Sequence, residues 1–231
     1  MEEKFEPRIE EVEFLELIES GFSGCPVCQL NLETVRKSAF SILYELVNDP
    51  GIRTRLREGG LCPKHAGLLF QVLEESPDLG FLGISIILKD VLDHGTKLNL
   101  FEQSPYGRKK KGRKRSHECY FCRLEREANK RHISIFARMM TDHSERKIFE
   151  RSESILCLPH TVELANSLFG TPHFEEILRI QEEKLHTLSS FLKSFIAKHD
   201  YRNTIPFTQE EASAWKKALE IISGGVISNK K

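Results

Sequence analysis

Apolar side chains recur every three or four positions over most of the chain, which is the spacing of one face of an α-helix. In the first half, this pattern and the Gly and Pro residues between its segments predict helices over 9–20, 29–48, 52–58, 63–75 and 78–101. No stretch sustains the period-two alternation of a half-buried strand. We therefore expect an all-α fold.

The pattern restarts in the second half of the chain. Shifting the numbering by 95 places His65 on His160 and Leu73 on Leu168, and the register holds over about 80 residues. Agreement through helices as well as polar motifs predicts two tandem pseudo-repeats of about four helices each. The last helix of the second repeat is predicted from Phe174 to about Lys198. It is longer than the last helix of the first repeat.

A further helix is predicted at each end of the chain, so that four segments follow one another. Thr208 and Glu211 have the spacing of a capping box, and Trp215, Leu219 and Ile222 form the apolar stripe of the C-terminal helix. The predicted segments are a first helical unit over 1–102, a linker over 103–118, a second helical unit over 119–200 and a C-terminal capping helix over 201–231.

Each repeat carries one Cys-x-x-Cys pair and one Cys-x-x-His pair. The intervals between the pairs are 33 and 34 residues long, and the two sets use all six cysteines of the chain. Two matched sets with no cysteine left over predict two sites of the same kind rather than ordinary buried cysteines. The candidate metal ligands are Cys25, Cys28, Cys62 and His65 in the first repeat, and Cys119, Cys122, Cys157 and His160 in the second.

Three thiolates and one imidazole are a standard ligand set for a structural zinc ion. Pro26 and Pro63 suit the first turn of a helix, whose positive end favours thiolate over thiol. A full set leaves no position for a reactive water, so we expect two structural zinc ions. We favour pairing within each repeat, because each repeat then forms an independent unit. The alternative joins Cys25 and Cys28 to Cys157 and His160.

Two other interpretations of the cysteines remain open. A Cys3His set can hold an iron–sulfur cluster, in which histidine sometimes replaces thiolate. Cys25-Pro26-Val27-Cys28 also has the form of a redox dithiol, although such pairs belong to a strand–helix turn that this chain lacks. Either would make the protein a sensor or a carrier of electrons or sulfur.

The net charge is zero, so any attraction to nucleic acid must be local. Seven basic residues fall within positions 108–115. They are predicted either as part of a solvated linker or as a phosphate-binding strip, without the interleaved aromatic residues that stack bases. The candidate contacts with nucleic acid or an acidic partner are Arg108, Lys109, Lys110, Lys111, Arg113, Lys114 and Arg115.

The acidic N-terminus lacks the apolar core of a secretory signal, so we expect a cytoplasmic protein with reduced thiols. The most apolar run, over 79–92, contains charges and is too short to span a bilayer, so no membrane partner is expected. Phosphate-loop, nucleophile-elbow and His-Glu-x-x-His motifs are missing. We therefore expect a binding or regulatory module with an unidentified protein partner rather than an enzyme.

The doubled motif also carries a resemblance. The segments CPVC with LCPKH, CYFC with LCLPH, and the C-terminal FTQEEASAWKKALEIISG together resemble a family of prokaryotic helical proteins of unknown function. The resemblance covers nearly the whole chain. It implies an all-helical fold with duplicated Cys-x-x-Cys and Cys-x-x-His motifs, and it implies no activity. Cys119-Tyr120-Phe121-Cys122 lacks the proline of the first pair.

Overall fold

A computed structural model describes residues 8–97, 118–200 and 202–226, and all regular elements within these ranges are helical. This confirms the all-α prediction. The helices are α1 (Ile9–Glu19), α2 (Pro26–Tyr44), α3 (Pro50–Gly59), α4 (Pro63–Glu75), a 3-10 turn (Pro77–Leu79), α5 (Leu82–Lys97), α6 (Tyr120–Thr141), α7 (His143–Arg151), α8 (Leu158–Leu168), α9 (Phe174–Lys198) and α10 (Gln209–Ser223).

The chain forms two compact units that do not coincide with the predicted tandem segments. The first unit combines Met1–Leu32 with Asn129–Lys231, and the second unit is Glu33–Ala128. Helices α2 and α6 therefore each carry residues of both units. The duplication itself stays a prediction, and the division at 103–118 is not the one by which the structure separates its units.

The core of the first unit is built around buried aromatic rings. Phe136 is fully buried and lies 5.4 Å from Phe14 of α1 and 5.2 Å from Phe149 of α7, measured between ring centroids. Edge-on and tilted contacts at this distance are favourable because the positive edge of one ring meets the negative face of another. Helices α8, α9 and α10 pack against one another in the same unit.

Helix α10 begins at the predicted capping box. The Thr208 hydroxyl accepts the Glu211 backbone N–H at 3.2 Å, and a Glu211 carboxylate oxygen accepts the Thr208 N–H at 2.8 Å. Lys198 of α9 also donates to Glu211, at 2.7 Å. The cap thus satisfies backbone donors at the start of α10 and joins the helix to α9.

The apolar stripe predicted for α10 faces solvent. The helix instead buries Ala214, Ala218 and Ile221, which follow the same three-and-four spacing one position earlier. Small alanine side chains let the backbone of a helix approach its neighbours closely, so they can form a packing face that a hydrophobicity pattern undervalues. The residues of the predicted apolar stripe are exposed at 48%, 50% and 62%: Trp215, Leu219 and Ile222.

The second unit packs α3 against α5. Helix α5 starts at Leu82 rather than at Asp78, because Gly80 has a φ of +58° and interrupts the helix after the 3-10 turn. At Gly83, a Cβ atom would lie 2.7 Å from the Leu43 carbonyl oxygen of α2. The start of α5 therefore approaches α2 at a distance that only glycine permits.

The predicted linker cannot be compared with the structure, because the basic run over 108–115 lies outside the described residues. Of the helices that are described, none combines the length and the apolar content needed to cross a membrane.

Candidate metal centres

All eight predicted ligands lie in two groups, each with its four ligand atoms within 4.8 Å of one another. The first group lies in the first unit and the second group in the second unit. The predicted pairing within each repeat is wrong, and the alternative across the repeats is the observed one. The first group is Cys25, Cys28, Cys157 and His160, and the second group is Cys62, His65, Cys119 and Cys122.

Loop-closure entropy explains why the sequence could not decide the pairing. Cys28 and Cys62 are 34 positions apart, whereas the first group brings together Cys28 and Cys157, which are 129 positions apart. The cost of closing a loop rises only with the logarithm of its length, so the longer loop costs about 1 kcal/mol more. Burying a single large apolar side chain contributes about 1.5–3 kcal/mol. Helix packing therefore outweighs the advantage of the shorter loop.

Each group is assembled from the starts of two helices. The pairs at the starts of α2 and α8 form the first group, and those at the starts of α4 and α6 form the second. In every pair, the carbonyl of the leading cysteine accepts a bond from the backbone N–H four positions later, at 2.8–3.2 Å. Helix starts present free N–H groups and partial positive charge, which stabilise negatively charged sulfur.

The first group is buried throughout. His160 Nδ1 lies 3.1 Å from the Cys157 sulfur and 3.3 Å from the sulfurs of both Cys25 and Cys28. The sulfurs of Cys28 and Cys157 are 3.6 Å apart. Nδ1 is therefore the imidazole atom that faces the three sulfurs.

The segment before Cys157 is fixed by hydrogen bonds to two other parts of the first unit. The Ile155 N–H donates to the Gly24 carbonyl at 3.1 Å, and the Ser154 hydroxyl donates to the Phe22 carbonyl at 2.7 Å. The Gln181 side chain of α9 accepts the Leu156 N–H at 3.2 Å and donates to the Leu156 carbonyl at 2.7 Å. The bonds to Gly24 and Phe22 hold the segment before Cys157 beside the segment before Cys25.

The other nitrogen of His160 is held by an amide network. Asn129 Oδ1 lies 2.7 Å from His160 Nε2 and accepts from Asn31 Nδ2 at 2.8 Å, while Asn129 Nδ2 donates to Glu163 at 2.7 Å. Glu163 can only accept when ionised, so the Asn129 oxygen faces His160 and Nε2 carries the proton. The Nδ1 lone pair is then free to bind a metal ion.

The loop after α10 completes the surroundings of the first group. The Gly225 N–H donates to the Cys28 sulfur at 3.2 Å, and Gly224 has a φ of +69°. A Cβ atom at Gly224 would lie 3.1 Å from a carbon of Pro159 and 3.6 Å from the Cys157 sulfur. The two glycines follow the end of α10, and nothing in the sequence marks their contact with the sulfurs.

The second group has the same arrangement but is less enclosed. His65 Nδ1 lies 3.2 Å from the Cys62 sulfur, 3.4 Å from that of Cys122 and 3.7 Å from that of Cys119. The Cys62 and Cys122 sulfurs are 3.6 Å apart. His65 and Cys119 are buried, whereas Cys62 and Cys122 are partly exposed.

A carboxylate takes the place of the amide behind the second histidine. Glu125 Oε2 lies 3.4 Å from His65 Nε2, and its other oxygen accepts from Lys64 at 2.5 Å. The hydrogen bond with His65 lowers the pKa of Glu125 to about 2, with Lys64 also contributing against the effect of burial. Neither Asn129 nor Glu125 was predicted, because nothing in the chain marks a residue that touches the far side of a ligand.

The ligand atoms of the first group shift one another's pKa values. Burial lowers the pKa of His160, but hydrogen bonds with Cys157 and Cys28 outweigh this effect and raise the pKa to about 10. Hydrogen bonds from Cys25 and Cys28 lower the pKa of Cys157 well below its usual range. Burial raises the pKa of Cys25, and the neighbouring sulfurs add to this effect. Without a metal ion the group thus pairs a Cys157 thiolate with a protonated imidazole and keeps the proton on Cys25, and a metal ion bound there would displace these protons.

In the second group, too, one thiol has a lowered pKa and another has a raised pKa. Burial raises the pKa of Cys62, but hydrogen bonds from the His65 backbone, Cys122 and the imidazole lower it to about 7. Burial and the sulfurs of Cys62 and Cys119 raise the pKa of Cys122 to about 12. Each group therefore fits one metal ion bound by three sulfurs and one nitrogen.

Comparison with known proteins identifies relatives but no activity. A family model described as "Family of unknown function (DUF6062)" matches residues 7–229. The chain is also 29% identical over 201 residues to an "Uncharacterized 23.9 kDa protein in xynA 3'region" of Caldicellulosiruptor sp. (strain Rt8B.4), covering 87% of this chain and 95% of that protein. No solved structure matches the chain.

Proposed function

We propose that this chain, which belongs to the DUF6062 family of unknown function, binds two zinc ions as structural centres. It would act as a binding or regulatory module rather than as an enzyme. The observation that carries the proposal is the pair of four-ligand groups, each drawn together from sequence positions far apart.

The spacing of the ligand atoms supports a single tetrahedral ion in each group. Zinc bonds of about 2.3 Å to sulfur and about 2.0–2.1 Å to nitrogen place two sulfurs about 3.8 Å apart and a sulfur about 3.5 Å from the nitrogen. One sulfur pair in each group is 3.6 Å apart, and the sulfur–nitrogen distances are 3.1–3.7 Å. A zinc ion therefore fits with shifts of a few tenths of an ångström.

The same spacing argues against the iron–sulfur alternative. A cluster distributes its protein ligands over two or four iron atoms, so ligands on different irons lie farther apart than ligands of one ion. All four ligand atoms of each group lie within 4.8 Å of one another. Closed sites of mixed sulfur and nitrogen ligands are typical of zinc, and this favours zinc over other single ions.

A structural role follows from the completeness of each ligand set. Four protein ligands leave no position for an activated water, and the first group is buried throughout. A metal ion there would tie the start of α2 to the start of α8, and a second ion would tie α4 to α6. The free energy of metal binding then contributes directly to folding.

An exposed apolar stripe on α10 supports the part of the proposal that concerns a protein partner. Trp215, Leu219 and Ile222 face solvent at helical spacing, and tryptophan is prominent among residues that dominate binding energies. Trp215 is the only tryptophan, so a partner that covers the stripe would shift its fluorescence emission to shorter wavelength. A Trp215→Glu variant that binds its partner as tightly as the unmodified chain would contradict this assignment.

Elemental analysis of the full chain tests the metal assignment. The protein would be purified without added metal and without oxygen, and its absorption spectrum recorded. We expect two zinc ions per chain and no visible absorption. Iron with acid-labile sulfide, or six reactive thiols without metal, would overturn the proposal. Replacement by cobalt adds a second readout, because tetrahedral thiolate ligation gives intense visible absorption.

A further inference from the structure

We infer that Cys62 and Cys122 are a modification site, at which a peroxide converts the two sulfurs into a disulfide and releases the metal ion of the second group. The inference rests on the metal binding proposed above and goes beyond it, because it assigns different roles to the two groups. The first group is a permanent structural centre, and the second is sensitive to oxidation.

Solvent exposure distinguishes the two groups. In both, one pair of sulfurs from different motifs lies 3.6 Å apart: Cys28 with Cys157 and Cys62 with Cys122. Cys28 and Cys157 are only 7% and 0% exposed, whereas Cys62 and Cys122 are both partly exposed. A dissolved oxidant can therefore reach the sulfurs of the second group and is excluded from those of the first.

The geometry selects the disulfide partners within the second group. Cys119 is only 4% exposed, so it is protected from direct attack. The Cys62 and Cys122 sulfurs must approach from 3.6 Å to the disulfide bond length of about 2.0 Å. This movement is small for two side chains at the starts of separate helices, α4 and α6.

The oxidation proceeds in two balanced steps. One metal-bound thiolate attacks a peroxide oxygen, the O–O bond breaks, and a sulfenic acid forms; with hydrogen peroxide and one proton, water leaves. The second thiolate attacks the sulfenic sulfur, the S–O bond breaks, and another proton and the hydroxyl form water. The two thiolates together lose two electrons to the peroxide and become a disulfide.

Metal release follows from the loss of ligands. A disulfide sulfur no longer carries the charge that makes a thiolate a metal ligand. Only His65 and Cys119 would remain in the second group, which is half of a tetrahedral set. The first group keeps all four ligands, so its ion should stay bound under the same treatment.

The experiment uses the zinc-loaded full chain with hydrogen peroxide as the oxidant. Zinc content is measured first, then released zinc is followed with a chromogenic chelator, and disulfides are mapped by mass spectrometry of proteolytic peptides. We expect release of one ion per chain together with a peptide pair joined through Cys62 and Cys122. Addition of a thiol reductant and zinc should restore two ions per chain.

Two matched variants separate this modification from general damage. Cys122→His keeps a fourth zinc ligand but cannot form the disulfide, so zinc release by peroxide should slow at least about tenfold, in line with the dominance of exposed thiolates in oxidation. Ser213→His introduces an imidazole at an exposed position outside both groups and should leave the selective release unchanged.

Other outcomes overturn one proposal or the other. A chain without bound metal before peroxide is added would contradict the proposed function itself. With two ions bound, simultaneous release of both, or a disulfide that joins Cys119 to Cys122 or lies in the first group, would overturn the inference alone. Unchanged release from Cys122→His would do the same.

Discussion

At the scale of single residues, the two groups differ in the partner behind the histidine. His160 donates to the neutral amide of Asn129, whereas His65 faces the carboxylate of Glu125, which is paired with Lys64. A zinc ion with three thiolates and a neutral imidazole carries one net negative charge. A neutral acceptor suits the buried first group, because another uncompensated charge there would be costly to desolvate.

Removing the Asn129 acceptor should weaken metal binding at the first group. Asn129→Ala leaves the His160 Nε2 proton without its partner and frees the ring to turn, so we expect zinc affinity there to fall about 10- to 100-fold. Competition with a chelator on the full chain measures the change. Glu163→Gln, which keeps an acceptor for the Asn129 amide, is the matched control. Equal affinities in Asn129→Ala and the unmodified chain would contradict the assigned orientation.

A buried carboxyl on α7 makes the stability of the first unit dependent on pH. Glu145 is 3% exposed, and burial raises its pKa from the usual 4.5 to about 7, with Glu11 and Asp142 adding to the effect. A carboxyl with a raised pKa binds its proton more tightly in the folded chain. Stability is therefore lost as the pH rises from 4.5 toward 7.

Glu145→Gln should remove this loss. We expect the variant to unfold with a higher free energy at about pH 8, by on the order of 1 kcal/mol, and the advantage to shrink below about pH 6. Urea denaturation of the zinc-loaded chain at several pH values measures it. Glu175→Gln, an exposed position on α9, serves as the control. An advantage independent of pH would show that Glu145 is ionised throughout.

At the scale of helices, all eight ligand residues lie at helix starts. The pairs before α2, α4, α6 and α8 supply the ligands, and prolines occupy the first turns of α2, α4 and α8 without loss of a hydrogen bond. Helix α10 contributes at its other end, through the Gly225 N–H that reaches the Cys28 sulfur. A stable α10 therefore supports the first group as well as the core.

The capping box of α10 offers a test at this scale. Thr208→Ala removes the acceptor of the Glu211 N–H, so we expect the free energy of unfolding to fall by about 1 kcal/mol. Chemical denaturation monitored by circular dichroism measures the loss. Ser213→Ala, which removes only an exposed hydroxyl bonded within the same helix, should change stability much less. Equal losses in the two variants would contradict a specific role for the cap.

At the scale of the whole molecule, each ligand group takes its residues from both predicted repeats. The first group takes its Cys-x-x-Cys pair from the first repeat and its Cys-x-x-His pair from the second, and the second group does the reverse. The ligands of each group nevertheless lie within one compact unit. The sequence repeats and the structural units are therefore different divisions of the same chain.

Double substitutions distinguish this crossed pairing from pairing within the repeats. Cys25→Ser with Cys157→Ser removes two ligands from one group, so we expect the loss of one zinc ion per chain. Cys25→Ser with Cys62→Ser removes one ligand from each group, so both ions should be lost or weakly held. Elemental analysis after dialysis against a weak chelator measures the counts. The reverse result would restore pairing within the repeats.

Local features of the sequence were enough to predict an all-helical fold, the ligand types and the resemblance to a helical family. Helical periodicity, capping boxes and proline positions act over a few residues, so they can be recognised without knowledge of the fold. Matched Cys and His spacings likewise reveal ligand chemistry, because two donors from one turn can bind one ion. The prediction that these eight residues form two Cys3His sets agrees with the groups in the structure.

Tertiary packing, in contrast, sets which pairs meet, which face of α10 is buried and which residues support the ligands. Loop lengths of 34 and 129 residues differ by too little free energy to choose the pairing, and α10 offers two adjacent apolar stripes. Asn129, Glu125 and Gly225 reach the ligands from positions far along the chain. Such contacts depend on the packing of many apolar side chains at once, and no local pattern encodes that sum.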